Sequence, residues 1–426
     1  MKCMYNVAIW FYCLAVRIVA MFNQKVRLMR QGERDAYAKI KSELSEGDRV
    51  VWVHAASLGE FEQGRPLIEK LKKSHPDYKI LLTFFSPSWY EVRKNYAGAD
   101  VICYLPLDTK ANARRFVELV KPEMAVFVKY EFWLNYLSEL RRKGVATYII
   151  SAIFRQDQVF FKRYGGLFRE ALKTFNILFV QNDESKELLK GIGVENVVVA
   201  GDTRFDRVAD IAAMAKKLAI VEEFVAKKEE KIEIDIRAEH RPQPVLVVGS
   251  SWSPDEELLV RYVNERAGKM KMIIAPHEVR EERIKELTSK LTCKYVLYTE
   301  ITDKSQSLLA ECDVLVINTI GLLSSIYQYG QAAYIGGGFG VGIHNTLEAA
   351  AWGIPVVFGP NYHKFQEAKE LIDCGAGKSI NSYEECAAAL DEFLLNGAAA
   401  SQAAAVYVAS HTGATDLIYN TLIIDK

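Results

Sequence analysis

Residues 50–62 read Val-Val-Trp-Val-His-Ala-Ala-Ser-Leu-Gly-Glu-Phe-Glu. An unbroken β-favouring run ends in a loop of small residues, and a carboxylate sits where the next helix begins. A strand with no polar alternation is buried on both faces, and one feeding straight into a helix is the βα unit of a parallel sheet. The pattern recurs on either side. Apolar runs at Lys79–Phe84, Val101–Leu105, Met124–Val128, Val145–Ile150, Ile177–Val180 and Val197–Ala200 alternate with helical stretches at Glu62–Lys73, Lys110–Val120, Trp133–Lys143 and Asp183–Gly191. Residues 207–243 are helical in pattern, strongly charged and read as a connection. The rhythm restarts at Val245–Gly249 and continues through Met272–Ile274, Tyr295–Tyr298, Val314–Ile317, Ala333–Ile335 and Pro355–Phe358. The sequence thus predicts an α/β protein with two doubly wound, Rossmann-like domains facing a cleft. The domains span 33–206 and 244–426, with a last helix free to cross back. Ligands of such sheets bind beyond the carboxyl ends of the strands.

Composition narrows the function. The 426 residues include 50% hydrophobic and 25% charged, which is globular. Lys plus Arg (54) balances Asp plus Glu (54), which argues against a nucleic-acid partner. Seven cysteines without a C-x-x-C pair give neither a zinc frame nor a disulfide scaffold, and no protein partner can be inferred.

Residues 1–32 depart from that average. Met4 to Phe22 is apolar apart from Asn6 and Arg17, and five basic residues (Lys2, Arg17, Lys25, Arg27, Arg30) face no acidic one. No small-x-small cleavage site follows, so a signal peptide is disfavoured. A core helix is one reading. A membrane anchor or interfacial helix is preferred, because apolar residues wrap the whole circumference. Basic residues just after it would keep the remainder on the cytoplasmic side of the inner membrane.

Several motifs fail on inspection. Gly59 and Gly64 have P-loop spacing, but Arg65-Pro66 replaces the Lys-Ser/Thr pair. No register of Gly336-Gly337-Gly338-Phe339-Gly340-Val341-Gly342 satisfies G-x-G-x-x-G. His277-Glu278 lacks the second His of a zinc helix, and no metal site is expected.

Two segments remain. In the first, Glu60 at the strand tip can accept a proton from an incoming hydroxyl. An ordinary helix-start carboxylate, favoured by the dipole, is the competing reading. In the second, the strand Ala333–Ile335 feeds the glycine run, expected to open a helix at His344-Asn345 and to cradle an anion. Glu348, about one turn further, would take hydrogen bonds from ribose hydroxyls. The plain βα-turn reading with a solvated Glu348 is less favoured, since five glycines fall within seven residues.

Together these segments resemble the 3-deoxy-D-manno-octulosonic acid (Kdo) transferases of lipopolysaccharide synthesis, and the likeness runs along nearly the whole chain. His54-Ala55-Ala56-Ser57-Leu58-Gly59-Glu60 is similar to the family block H-A-x-S-x-G-E, and Glu131-Phe132-Trp133-Leu134-Asn135 to E-L-W-P-N. Gly201-Asp202-Thr203-Arg204-Phe205-Asp206 is similar to G-N-L-K-F-D. In the second half, Gly249-Ser250-Ser251-Trp252 stands at A-S-T-H and Pro276-His277-Glu278 at P-R-H. Ile320-Gly321-Leu322 stands at M-G-E, and His344-Asn345-Thr346-Leu347-Glu348 at H-N-P-L-E.

The resemblance implies a GT-B architecture and CMP-Kdo as donor, a substrate rather than a cofactor. The acceptor would be a lipid A precursor of the lipid IVA type, attacked with inversion, without a metal, and with release of CMP. Glu60 would be the base, and Glu131 and Arg204 would stabilise the transition state. Glu131 would orient Arg204 or the sugar, or else form a buried ion pair. CMP would be held by Pro276, His277, Ile320, Gly321, Leu322, Gly337, Gly338, His344, Asn345, Thr346, Leu347 and Glu348. Alternatives are a GT-B enzyme using a UDP-sugar and a non-catalytic, membrane-associated nucleotide-binding protein.

Overall fold

The computed structural model describes residues 2–85, 90, 94–226, 243–302 and 306–424. It contains two compact units, Met1–Arg207 with His411–Lys426, and Val208–Ser410. Each is built on a seven-stranded, wholly parallel sheet.

In the first unit the strands are β1 (Arg49–His54), β2 (Tyr78–Phe84), β3 (Val101–Tyr104), β4 (Met124–Val128), β5 (Ala146–Ala152), β6 (Ile177–Val180) and β7 (Val197–Val199). Their order is β3-β2-β1-β4-β5-β6-β7, so the winding reverses between β1 and β4. The non-alternating run in β1 has a direct cause. Val50 and Trp52 join one apolar cluster, while Val51 and Val53 join another on the opposite face.

The second unit repeats the plan with β8 (Val245–Ser251), β9 (Lys271–Pro276), β10 (Tyr295–Leu297), β11 (Val314–Val316), β12 (Ala332–Ile335), β13 (Val356–Phe358) and β14 (Gly377–Ser379). The order β10-β11-β9-β8-β12-β13-β14 reverses between β8 and β12. Strand β14 was not anticipated, because Gly-Lys-Ser offers no apolar run and pairs only at the sheet edge.

Residues 227–242 of the expected connection lie outside the described residues. Before them, helices Arg204–Met214 and Ala219–Val225 form, and Val221 and Phe224 are fully buried. Leu218 N–H donates to the Tyr329 hydroxyl at 2.7 Å, which ties this stretch into the second unit.

The amino-terminal region is a helical pair, α1 (Lys2–Phe22) and α2 (Gln24–Glu43), with Asn23 capping α2 through its side-chain oxygen. Helix α1 is long and apolar enough to cross a membrane by length and composition. Val16 and Ala20 are buried on the unit, whereas Trp10 (61% exposed), Phe11 and Phe22 point outward. The last helix, Ala414–Ile424, returns to the first unit, burying Ile418 and Leu422 in the cluster that holds Val51 and Val53. Asp206 fixes its start, accepting from the amide and hydroxyl of Thr415 at 2.7 and 2.6 Å.

Candidate active site

The chemistry-bearing residues of the first unit gather at the carboxyl ends of β1 and β4, the position where a doubly wound sheet opens a crevice. Helix α3 (Leu58–Ser74) begins directly after β1. Its first turn is closed by a capping box. Ser57 Oγ accepts from the Glu60 amide at 3.4 Å, while Glu60 Oε2 accepts from the amides of Ala56 and Ser57 at 2.6 and 3.2 Å. Glu60 therefore has the structural role of a helix-start carboxylate, and this does not use up its basicity. Burial and the neighbouring Glu131 carboxylate push its carboxyl up to about 7, against the two amide donors and the Lys129 ammonium.

Glu131 is clamped. His54 Nε2 lies 3.2 Å from its Oε2, and Trp133 Nε1 donates to the same oxygen at 2.5 Å. A carboxylate only accepts, so His54 presents a proton on Nε2. Its Nδ1 lies 2.9 Å from the Thr83 hydroxyl, which in turn accepts from Trp52 Nε1 at 2.8 Å. Burial raises the Glu131 carboxyl, but hydrogen bonds from His54 and Trp133 outweigh it and hold it below the usual carboxylate range. Two neighbouring carboxyl groups pushed in opposite directions form an acid/base arrangement. Lys129, between them in sequence, adopts a left-handed conformation with φ +66° at the end of β4, a strained backbone for a lysine.

Arg204 opens the helix Arg204–Met214. Its Nε donates to Asp202 Oδ2 at 2.8 Å, and Asp202, almost wholly buried, also accepts from Gln63 at 3.1 Å. Burial alone would raise the Asp202 carboxyl, yet Arg204 and its hydrogen bonds hold it below its ordinary value.

The second unit places its residues around the reversal between β8 and β12. The Trp252 indole stacks on His277, and His277 on His344, each pair with centroids 4.5 Å apart. Trp252 Nε1 donates to His344 Nε2 at 3.1 Å. Burial, with His277 beside it, lowers the His344 imidazole to about 4, which keeps it neutral and able to accept.

Asp255 underpins this arrangement. It is 1% exposed, and it accepts from the amides of Trp252 and Gly337 and from the Tyr334 hydroxyl, each at 2.9 Å. Sequence reasoning passed over it. The available signal was an Asp three residues after Trp252, at the start of an apolar helix.

The glycine run differs from its sequence reading. A Cβ on Gly336 would fall 2.3 Å from the Ser250 carbonyl oxygen, and one on Gly338 would fall 2.6 Å from the Gly359 backbone. Gly337 has φ +93°. These glycines are thus required by the protein's own close approaches. The amides of Gly336, Gly337, Gly340, Gly342 and His344 are also taken by internal acceptors, so the run is a narrower amide cradle than expected.

The helix expected at His344-Asn345 begins at Leu347 and lasts one turn, Leu347–Ala350. Asn345 instead lies just before the N-cap Thr346, accepting from the Leu347 amide at 3.1 Å. Glu348 consequently lies in its first turn rather than a turn further on. There it accepts from Ser324 Oγ at 2.7 Å and Asn345 Nδ2 at 3.1 Å. Ile320, Gly321 and Leu322 form the loop before Ser324, with Ile320 81% exposed. Pro276 and Leu347 are buried, while Thr346 is fully buried with its hydroxyl unpartnered among the described residues. No cluster of three His, Cys, Asp or Glu among the described residues could hold a metal ion.

Two Rossmann-like units with polar residues grouped at each winding reversal define a protein of GT-B type. The Neisseria meningitidis UDP-GlcNAc 2-epimerase bound to UDP-GlcNAc shares this fold, with a TM-score of 0.59, 14% identity and coverage of 88% of this chain and 99% of that one. Acinetobacter baumannii MurG does so at 0.53, with 14% identity and coverage of 88% and 98%. A family profile described as 3-Deoxy-D-manno-octulosonic-acid transferase (kdotransferase) matches residues 27–207. The 3-deoxy-D-manno-octulosonic acid transferase of Aquifex aeolicus (strain VF5) is 28% identical over 361 residues, covering 83% of this chain and 88% of that protein. Residues 27–207 thus match the Kdo transferase profile, and most of the chain is similar to the Aquifex aeolicus transferase.

Proposed function

We propose that this protein transfers Kdo from CMP-Kdo to a hydroxyl of a lipid A precursor of the lipid IVA type, with inversion, release of CMP and no metal ion. The observation that carries the reading is Glu60, a strand-tip carboxylate raised to about 7 beside a second carboxylate held low. A base of that pKa is matched to deprotonating a hydroxyl as it attacks an anomeric carbon near neutral pH. Glu131, fixed by His54 and Trp133, orients the acceptor, and Arg204 carries positive charge for the departing phosphate. Mass spectrometry of a lipid A precursor incubated with the protein and CMP-Kdo tests this directly. A Kdo-bearing product is expected, and its absence, with transfer from a UDP-sugar instead, would refute the donor.

On the donor side, Glu348 is the ribose acceptor, positioned by Ser324 and Asn345. Glu348→Ala should weaken CMP binding roughly tenfold or more, the value of a hydrogen bond to a charged group. Unchanged affinity by calorimetry would refute the assignment.

The enzyme works at the cytoplasmic face of the inner membrane, with α1 lying in the interface. Both ends of that helix are tied to the first unit, by Tyr5 to Asp108 and by burial of Val16 and Ala20, which disfavours an upright span. Its outward aromatic residues and the basic residues Lys25, Arg27 and Arg30 suit an anionic surface. Replacing Trp10 and Phe11 together by Ser should reduce co-sedimentation with anionic vesicles at least tenfold. Undiminished pelleting would remove α1 as the membrane contact.

A further inference from the structure

A cavity of about 280 Å³ lies between α1 and the loop after β4. Tyr5, Ile9 and Tyr12, spaced to share one helix face, form one wall, and Phe85, Phe132 and Trp133 form others. Two carboxyl groups reach it, those of Asp108 and Glu131. Both already have protein donors. Asp108 accepts from the Tyr5 hydroxyl at 2.5 Å and from the amides of Asn135 and Tyr136, each at 3.1 Å. Glu131 accepts from His54 and Trp133. What the cavity offers a ligand is chiefly apolar and aromatic surface.

We infer that this cavity takes an acyl chain of the lipid acceptor. The inference rests on the acceptor reading above. Three side chains of its wall come from one face of the helix, with Tyr12 at its open rim, and the other face carries the exposed residues Met4, Trp10 and Phe11. Its floor includes Glu131, whose charge acts on Glu60. A lipid chain leaving the bilayer past α1 therefore enters beside the group that deprotonates the sugar hydroxyl. Helix α1 thus has two roles, a membrane contact on one side and a substrate wall on the other.

The test uses the full chain in two assays. Spin-labelled fatty acids below their micellar concentration report direct binding. Affinity should rise about fourfold per added methylene until the cavity is filled, then level off. Ile9→Trp, which fills the cavity, should weaken that binding about tenfold. It should also raise KM for the acylated acceptor about tenfold in detergent, leaving KM for a deacylated disaccharide acceptor unchanged. Ile9→Ala, which enlarges the cavity, should shift the levelling-off to longer chains and serves if the Trp variant does not fold. Chain-length-independent binding, or an equal rise of both KM values, would overturn the inference. Fatty-acid binding that responds to Ile9→Trp without Kdo transfer to any acceptor would support the cavity and refute the acceptor reading.

Discussion

Glu60→Gln is expected to lower kcat about a thousandfold while CMP-Kdo affinity stays within about threefold. General-base catalysis contributes roughly 10²–10⁴-fold, and an amide cannot take up the acceptor's proton. The substitution is otherwise mild. A glutamine at the third position of a capping box still accepts from the Ala56 and Ser57 amides, so α3 keeps its start. Near-normal turnover by the variant would dismiss Glu60 as the base. The same geometry sets a pH profile. The base works deprotonated and its carboxyl is raised to about 7, so kcat/KM should climb with pH and level off above that value. Part of the elevation comes from the Glu131 charge, so Glu131→Gln should move the rise to lower pH. A rise left in place would mean that Glu131 does not tune the base.

Asp255→Ala should be the most damaging single change in the second unit. Three donors, the Trp252 and Gly337 amides and the Tyr334 hydroxyl, would lose their acceptor in a site only 1% exposed. Each orphaned donor costs about 1–3 kcal/mol, giving a net loss of about 3–5 kcal/mol. For a unit of this size that lowers Tm by roughly 10 °C. CMP affinity should fall with it, because Gly337 begins the glycine turn and Trp252 begins the ring stack. Asp255→Asn keeps an acceptor and should recover part of both losses. Thermal unfolding and calorimetry on the two variants separate this from a surface carboxylate, whose removal would leave Tm within about 1 °C.

The sheets were legible because burial on both faces leaves a plain trace, as in Val50–Val53, where adjacent side chains serve separate apolar clusters. Strand β14 left no such trace, since Gly-Lys-Ser has no apolar run and its backbone pairs with β13 at the sheet edge. The glycine run was legible as a loop fed by a strand but not as to cause. Glycines demanded by the Ser250 and Gly359 backbones look the same in a sequence as glycines that admit a ligand. The partners of Glu131 were hidden for another reason. His54, Thr83 and Trp52 reach it through hydrogen bonds between strands distant in the chain, which no local spacing encodes.

The return of the final helix to the first unit, clasped by Asp206 and packed through Ile418 and Leu422, bears on how the chain is made. On the ribosome the amino-terminal half must wait, one face uncovered, until Ala414–Ile424 has been translated. Deleting Ala414–Ile424 should therefore wound the half synthesised first.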